Sequence, residues 1–260
     1  MTWRRLSGMI IIIPIVLLGS SILFSSPYIG EAYSHEEIEL AGQLTDSLYA
    51  QENITMEVPT SEKYIALTFD DGPDVLTEEI LDVLHQNSVK ATFFVVGENC
   101  TFRSKTLKRI HDEGHELGNH TYTHMTFRGK SERQIAEEIL HTNKVIQEIT
   151  GAVPHLFRPP GGTLNIKIIQ AAQTYNLRIV LWSPDEDSKD WRSPGVERII
   201  KNVVPHAKEG KIILLHDGGG TRRQTLQALP RIISELRKNG YKFVTVTELL
   251  NARTVVPTQK

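Results

Sequence analysis

From Lys63 onward, short apolar runs alternate with longer amphipathic stretches, and this alternation constrains the chain more than any other feature of it. The runs are Tyr64-Ile65-Ala66-Leu67-Thr68-Phe69, Ala91 to Val96, Ile179 to Trp182, Ile212 to Leu215 and Phe243 to Val246. They are too short for helices and show no polar alternation, so they read as strands buried on both faces. Between them, helical patterns cover Glu78 to His85, Ser104 to Glu113, Glu132 to Thr150, Leu164 to Tyr175, Val196 to Ala207 and Gln224 to Asn239. Gly114, Gly151 and Gly240 stand where helix carboxyl ends belong. The pattern predicts one parallel α/β domain over residues 61–250, as a barrel or as an open sheet.

The amino-terminal part has a different texture. Arg4 and Arg5 precede an apolar run from Leu6 to Phe24, which at ~1.5 Å per residue approaches the ~30 Å hydrocarbon core of a bilayer. Basic residues on the short side predict that this side stays cytoplasmic and that the remainder is exported. Residues 1–28 are therefore expected to be a single-pass membrane anchor, with secretion after cleavage as the alternative. Residues 29–60 read as a stalk with a short helix, and residues 251–260 as a tail. Cys100 is the single cysteine, which excludes an internal disulfide framework and a cysteine-rich zinc site. A net charge of −2 argues against nucleic acid as a partner.

Polar residues capable of chemistry collect just after the predicted strands, where ligands gather in parallel α/β folds. Asp70 and Asp71 follow the first run. His120 and His124, in His-Thr-Tyr-Thr-His, have the i, i+4 spacing that one helical turn would bring to a shared face suited to a metal. His111 and His115 share that spacing, but Gly114 should separate them, which leaves surface or supporting roles. Arg158 lies in Phe-Arg-Pro-Pro-Gly-Gly, Asp187, Asp190 and Trp191 in Asp-Ser-Lys-Asp-Trp, and His216 ends the run Ile212 to Leu215.

In order and spacing, Thr-Phe-Asp-Asp-Gly-Pro (68–73), His-Thr-Tyr-Thr-His (120–124), Arg-Pro-Pro-Gly-Gly (158–162), Asp-Ser-Lys-Asp-Trp (187–191) and Leu-Leu-His (214–216) closely resemble the five motifs of the NodB-homology polysaccharide deacetylases, carbohydrate esterase family 4. The resemblance implies an irregular (β/α) barrel of about seven parallel strands. It implies Asp70 as general base, Asp71, His120 and His124 as metal ligands, Arg158 paired with Asp70, and Asp190 tuning His216 as the acid. Gly161 would offer a backbone N–H to the oxyanion, and Trp191 and Leu214 would line an acetyl pocket. Gly161 departs from the family, which commonly has tyrosine there, and Pro184-Asp185-Glu186 lengthens the loop before the fourth motif. The implied cofactor is one divalent ion, zinc first, with cobalt, nickel or manganese also suited to the ligands. The expected activity is metal-dependent removal of N-acetyl groups from an extracellular amino-sugar polymer, peptidoglycan GlcNAc first, by a monomer. Chitooligosaccharide, acetylated xylan, or a poorly active wall-binding role on the same fold are the alternatives.

Overall fold

A computed structural model describes residues 53–254. The anchor or signal segment and most of the expected stalk lie outside them. Among the described residues no helix is long and apolar enough to cross a membrane.

The strands are β1 (Ile54–Thr55), β2 (Tyr64–Asp70), β3 (Thr92–Val95), β4 (Glu116–Asn119), β5 (Leu156–Phe157), β6 (Arg178–Val180), β7 (Ile212–His216) and β8 (Lys242–Phe243). The helices are α1 (Thr77–Gln86), α2 (Gly97–Phe102), α3 (Ser104–Asp112), α4 (Glu132–Thr150), α5 (Ile166–Thr174), α6 (Val196–Val203), α7 (Arg223–Lys238) and α8 (Val246–Asn251). The named strands pair only in parallel, in the order β1-β6-β5-β4-β3-β2-β7, with β8 added beside the start of β2. This is the expected irregular barrel. Its two end strands do not pair with each other. The gap is bridged by the extended segment after β6, where Ser183 N–H donates to Ile212 O (3.0 Å), Leu214 N–H to Glu186 O (2.9 Å) and Ser188 N–H to Leu214 O (3.3 Å).

Strand parity separates two cores. Ile65, Leu67 and Phe69 of β2, with Phe93, Val95, Ile213 and Leu215, face outward under the helices. Ala66, Phe94, Leu156, Val180 and Ile212 fill the interior, together with Val58 and the α8 residues Val246 and Leu249. Gly118 belongs to the inward set, because a Cβ there would lie 2.5 Å from the Phe94 ring. β2 sits between β3 and β7 and buries both faces, which is why its sequence shows no alternation.

Three expectations are corrected. Residues 53–60 are not stalk: Ile54 and Thr55 pair with Ile179 and Val180, and Val58 is 1% exposed. The domain also continues past residue 250, since α8 ends at Asn251 and Thr254 N–H donates to Pro59 O (2.9 Å). Within Phe243 to Val246 the strand stops at Phe243, because a capping box between Thr245 and Glu248 starts α8 at Val246. Strands β4 and β5 were not anticipated; four and two residues long, they carry too little apolar sequence to be seen.

Val58→Asp would bury an unpaired carboxylate among Ala66, Phe94 and Ile212. It should cost about 2 kcal/mol or more, read as a lowered urea midpoint. An unchanged midpoint would return residues 53–60 to the role of a linker.

Candidate active site

The inward parity that packs the barrel also delivers the chemistry to its mouth. On β2 the inward series Ala66, Thr68, Asp70 changes from apolar to charged as it nears the carboxyl end, and on β7 the series Ile212, Leu214, His216 does the same. Parallel register sets Asp70 opposite His216. Asn119 is level with both Val95 and Phe157, so His120 and Arg158, each one residue further along, emerge side by side. Arg158 N–H donates to Asn119 O (2.9 Å), and His120 N–H to Val95 O (3.0 Å).

Asp71 would point away from this cluster if β2 simply continued. Its φ of 75° turns the chain back and brings the carboxylate inside. Gly218 permits the turn, because a Cβ there would stand 2.2 Å from Asp71 O. The Asn99 side chain donates to the same carbonyl (2.8 Å).

Asp71, His120 and His124 each offer one ligand atom, and these atoms lie within 4.8 Å of one another. His120 Nε2 is 3.4 Å and His124 Nε2 3.1 Å from Asp71 Oδ1. His120 Nδ1–H donates to Arg158 O (2.6 Å), which fixes the tautomer and leaves Nε2 free as a donor of electrons. Two imidazoles and one carboxylate, oriented in this way, fit a divalent cation with coordination positions to spare. Burial acts to raise the Asp71 carboxyl, but the His120 and His124 imidazoles set against it outweigh this and hold the group well below the usual carboxylate range. The hydrogen bond to Asp71 raises His124 in turn. The two histidines do not meet through a helical turn, as their spacing led us to expect. Residues 120–124 form an irregular loop after β4, with positive φ at Thr121 (67°) and His124 (53°).

Beside this trio, Asp70 is 3% exposed, and its Oδ1 accepts from Arg158 Nη1 at 2.7 Å. Its Oδ2 faces His120 Nε2 at 3.8 Å. Arg158 is fully buried, and its remaining hydrogen bonds run to Thr68 Oγ1 (2.8 Å), Val180 O (3.0 Å) and Leu181 O (3.0 Å), with the Phe94 ring 4.0 Å from the guanidinium carbon. Burial lowers the Arg158 pKa and the Asp70 charge opposes that.

Across the mouth, His216 Nδ1 and Asp190 Oδ1 are 2.7 Å apart. Asp190 Oδ2 accepts from His216 N–H (2.9 Å) and Thr225 Oγ1 (2.7 Å). Burial alone would raise Asp190, but these donors, His216 first, hold it low. Burial alone would depress His216, and the bond to Asp190 outweighs it and raises the imidazole above its usual value.

Leu214 is 3% exposed, whereas Trp191 is 46% exposed and carries the Arg192 guanidinium over its ring. Gly161 has a φ of 64°, and a Cβ there would meet only Thr163 Oγ1 at 3.9 Å, so the missing side chain leaves open space. Asp187 caps the turn by accepting from Lys189 N–H (2.8 Å) and does not join the His216 pair. Of the remaining histidines with i, i+4 spacing, His115 is buried rather than on the surface. Its Nδ1 accepts from Ala91 N–H (3.1 Å), and burial pushes its pKa down to about 4.

Sequence reasoning missed Thr68, Asn99 and Asn119. Thr68 could have been found, since it lies two residues before Asp70 and must share its face. Asn119 accepts from Thr121 N–H (2.8 Å) and donates to Ile139 O (2.8 Å) on α4, a contact no local pattern announces.

A parallel barrel whose mouth joins a two-histidine, one-carboxylate cluster to a buried aspartate and an aspartate-backed histidine has the groups that hydrolysis of an acyl bond needs. Residues 57–180 match the polysaccharide deacetylase family model. A peptidoglycan-N-acetylglucosamine deacetylase of Bacillus cereus is 46% identical over 198 residues, covering 76% of this chain and 92% of that protein. The peptidoglycan-N-acetylmuramic acid deacetylase PdaC of Bacillus subtilis is 36% identical over 193 residues, covering 74% of this chain and 40% of that protein. A crystal structure of a peptidoglycan N-acetylglucosamine deacetylase with a bound aryl N-hydroxybenzamide superposes with a TM-score of 0.74 at 34% identity, covering 80% of this chain and 97% of the other. The chain belongs to the polysaccharide deacetylase family.

The raised pKa of His216 rests on Asp190, so Asp190→Asn should lower it. A protonated His216 paired with Asp190 stabilises the fold below the usual histidine pKa, and that contribution is lost as pH rises through the raised value. If His216 acts as the acid, the alkaline limb of the rate profile falls at the same point, and Asp190→Asn should move that limb to lower pH. A limb that stays in place would separate Asp190 from the titration.

Proposed function

We propose that this protein is a metal-dependent deacetylase acting on the N-acetyl groups of peptidoglycan GlcNAc, outside the cell and tethered by its amino-terminal segment. The observation that carries the reading is the convergence of Asp71, His120 and His124 on one point beside the buried Asp70–Arg158 pair. Relatives named for peptidoglycan support the substrate, and the apolar run after Arg4 and Arg5 supports the location. Zinc suits two imidazoles and a carboxylate, and cobalt, nickel or manganese would also bind them.

A divalent cation held by Asp71, His120 and His124 would polarise the acetyl carbonyl and make a water molecule more acidic. Asp70 takes the proton of the attacking water on Oδ2, because Oδ1 is engaged by Arg158. Arg158 sets a positive charge against Asp70 and holds the carboxylate in one orientation. As the carbon–nitrogen bond breaks, Nε2 of His216 donates a proton to the departing amine, while Asp190 holds Nδ1–H and favours the imidazolium. The products are acetate and the free amino sugar. The Gly161 N–H offers a donor to the oxyanion without a side chain beside it.

Acetate release from peptidoglycan by the full-length protein, abolished by chelation and restored by added zinc, is the expected result. Release from chitooligosaccharide or acetylated xylan alone would reassign the substrate, and no release from any of them by metal-loaded protein would favour a wall-binding role. Asp70→Asn should keep the metal and lose about 10²- to 10⁴-fold in turnover, whereas His120→Ala should lose the metal. Equal metal content and equal activity in the two variants would contradict the division of roles.

A further inference from the structure

Glu138 lies on α4, outside every motif and away from the strand ends. Its Oε2 accepts from Tyr122 N–H (3.0 Å), Thr123 N–H (2.8 Å) and Thr123 Oγ1 (3.1 Å). These groups belong to the loop between His120 and His124. We propose that Glu138 is the positioning residue of that loop, setting where His124 stands and therefore how tightly the site holds a divalent cation. The inference rests on the metal-binding reading of Asp71, His120 and His124.

The backbone inventory of the loop supports the assignment. Thr121 N–H is taken by the Asn119 side chain. Thr121 O accepts from Gly97 N–H (3.0 Å), and Tyr122 O accepts from Glu98 N–H (2.9 Å). The N–H groups of Tyr122 and Thr123 are left, and both go to one carboxylate oxygen. Nothing else among the described residues receives them. Thr121 and His124 stand at positive φ, which carries a steric cost for residues with a Cβ, so the loop depends on contacts such as these to keep its shape.

The two histidines depend on this loop to different degrees. His120 is 2% exposed, and its Nδ1 is fixed by Arg158 O. The His124 side chain is 45% exposed, and the one polar partner of its ring among the described residues is Asp71. With so little packing around it, His124 is placed by its backbone, and Glu138 fixes that backbone on the amino-terminal side. Glu138 is itself held firmly, since α4 begins with a reciprocal capping box between Ser131 and Gln134. Tyr122 also stacks on His141 of α4, with ring centroids 3.6 Å apart, so the loop should remain docked when the carboxylate is removed.

The test is the divalent-ion dissociation constant of the full-length protein, measured with zinc against a chromophoric chelator, which reads positioning without reading activity. Glu138→Ala should bind zinc about 10- to 100-fold more weakly, and turnover should recover when zinc is raised to saturation. Glu138→Gln retains an amide oxygen that can accept the same N–H groups and should restore most of the affinity. Glu137→Ala, which removes a surface partner of Arg133 on the same helix, should leave the affinity unchanged. Wild-type affinity in Glu138→Ala would overturn the proposal while leaving the metal site intact. So would equal losses in Glu138→Gln and Glu138→Ala, which would trace the effect to charge. A wild-type protein that binds no divalent ion would overturn this inference and the metal-dependent reading together.

Discussion

The Arg158 guanidinium is buried inside the barrel mouth, and most of the site is organised around it. Burying such a cation is costly unless its donors and charge are met. Here Asp70 supplies the countercharge, while Thr68 Oγ1, Val180 O and Leu181 O take further hydrogen bonds. The same residue's carbonyl accepts from His120 Nδ1–H and so sets the ring orientation of the histidine that faces Asp71. One side chain and its backbone thus tie β2, β6 and the loop after β4 into a single arrangement. Removing the charge would strand Asp70 in an apolar interior, and shifting the backbone would release His120.

That arrangement separates two aspartates that are neighbours in the chain. Asp70 continues the inward parity of β2 and is locked by Arg158. Asp71 reaches the same mouth only by turning at positive φ, and it faces the two imidazoles. Opposite them, Asp190 acts on His216 as Arg158 acts on Asp70, but with the charges exchanged. One pair sets a buried carboxylate against a guanidinium, and the other favours a protonated imidazole.

The motifs were legible in part because strand ends in parallel sheets are marked by abrupt changes from apolar to polar residues, and the roles expected of them came from the resemblance of their order and spacing to one family. Asp70 and His216 sit at such changes, whereas His120 and Arg158 follow strands too short to mark and were found through their motifs. What was not legible depended on distance in sequence or on unusual backbone. Strands β1, β4 and β5 are too short to print a pattern, and β1 lies in a stretch that reads as a linker. The spacing of His120 and His124 was read correctly as a shared site and incorrectly as a helical turn, because an irregular loop with two positive φ angles leaves no periodic trace. The supporting contacts of Asn119 and Glu138 cross from the loop to α4, and nothing near Glu138 in the sequence distinguishes it from the other acidic residues of that helix.

The amino-acid sequence by itself determined the alternation of strand and helix, the family, and which polar residues would gather at the barrel mouth, because these rest on local hydrophobic pattern and on motif order. Only the tertiary structure decided which of those residues face one another. Inward parity, parallel register between strands far apart in the chain, and the backward turn at Asp71 are properties of packed strands rather than of neighbours in sequence. The same packing drew residues 53–60 into the domain, since Val58 and the β1 pair find apolar surface and free backbone groups only once β6 and the barrel interior exist.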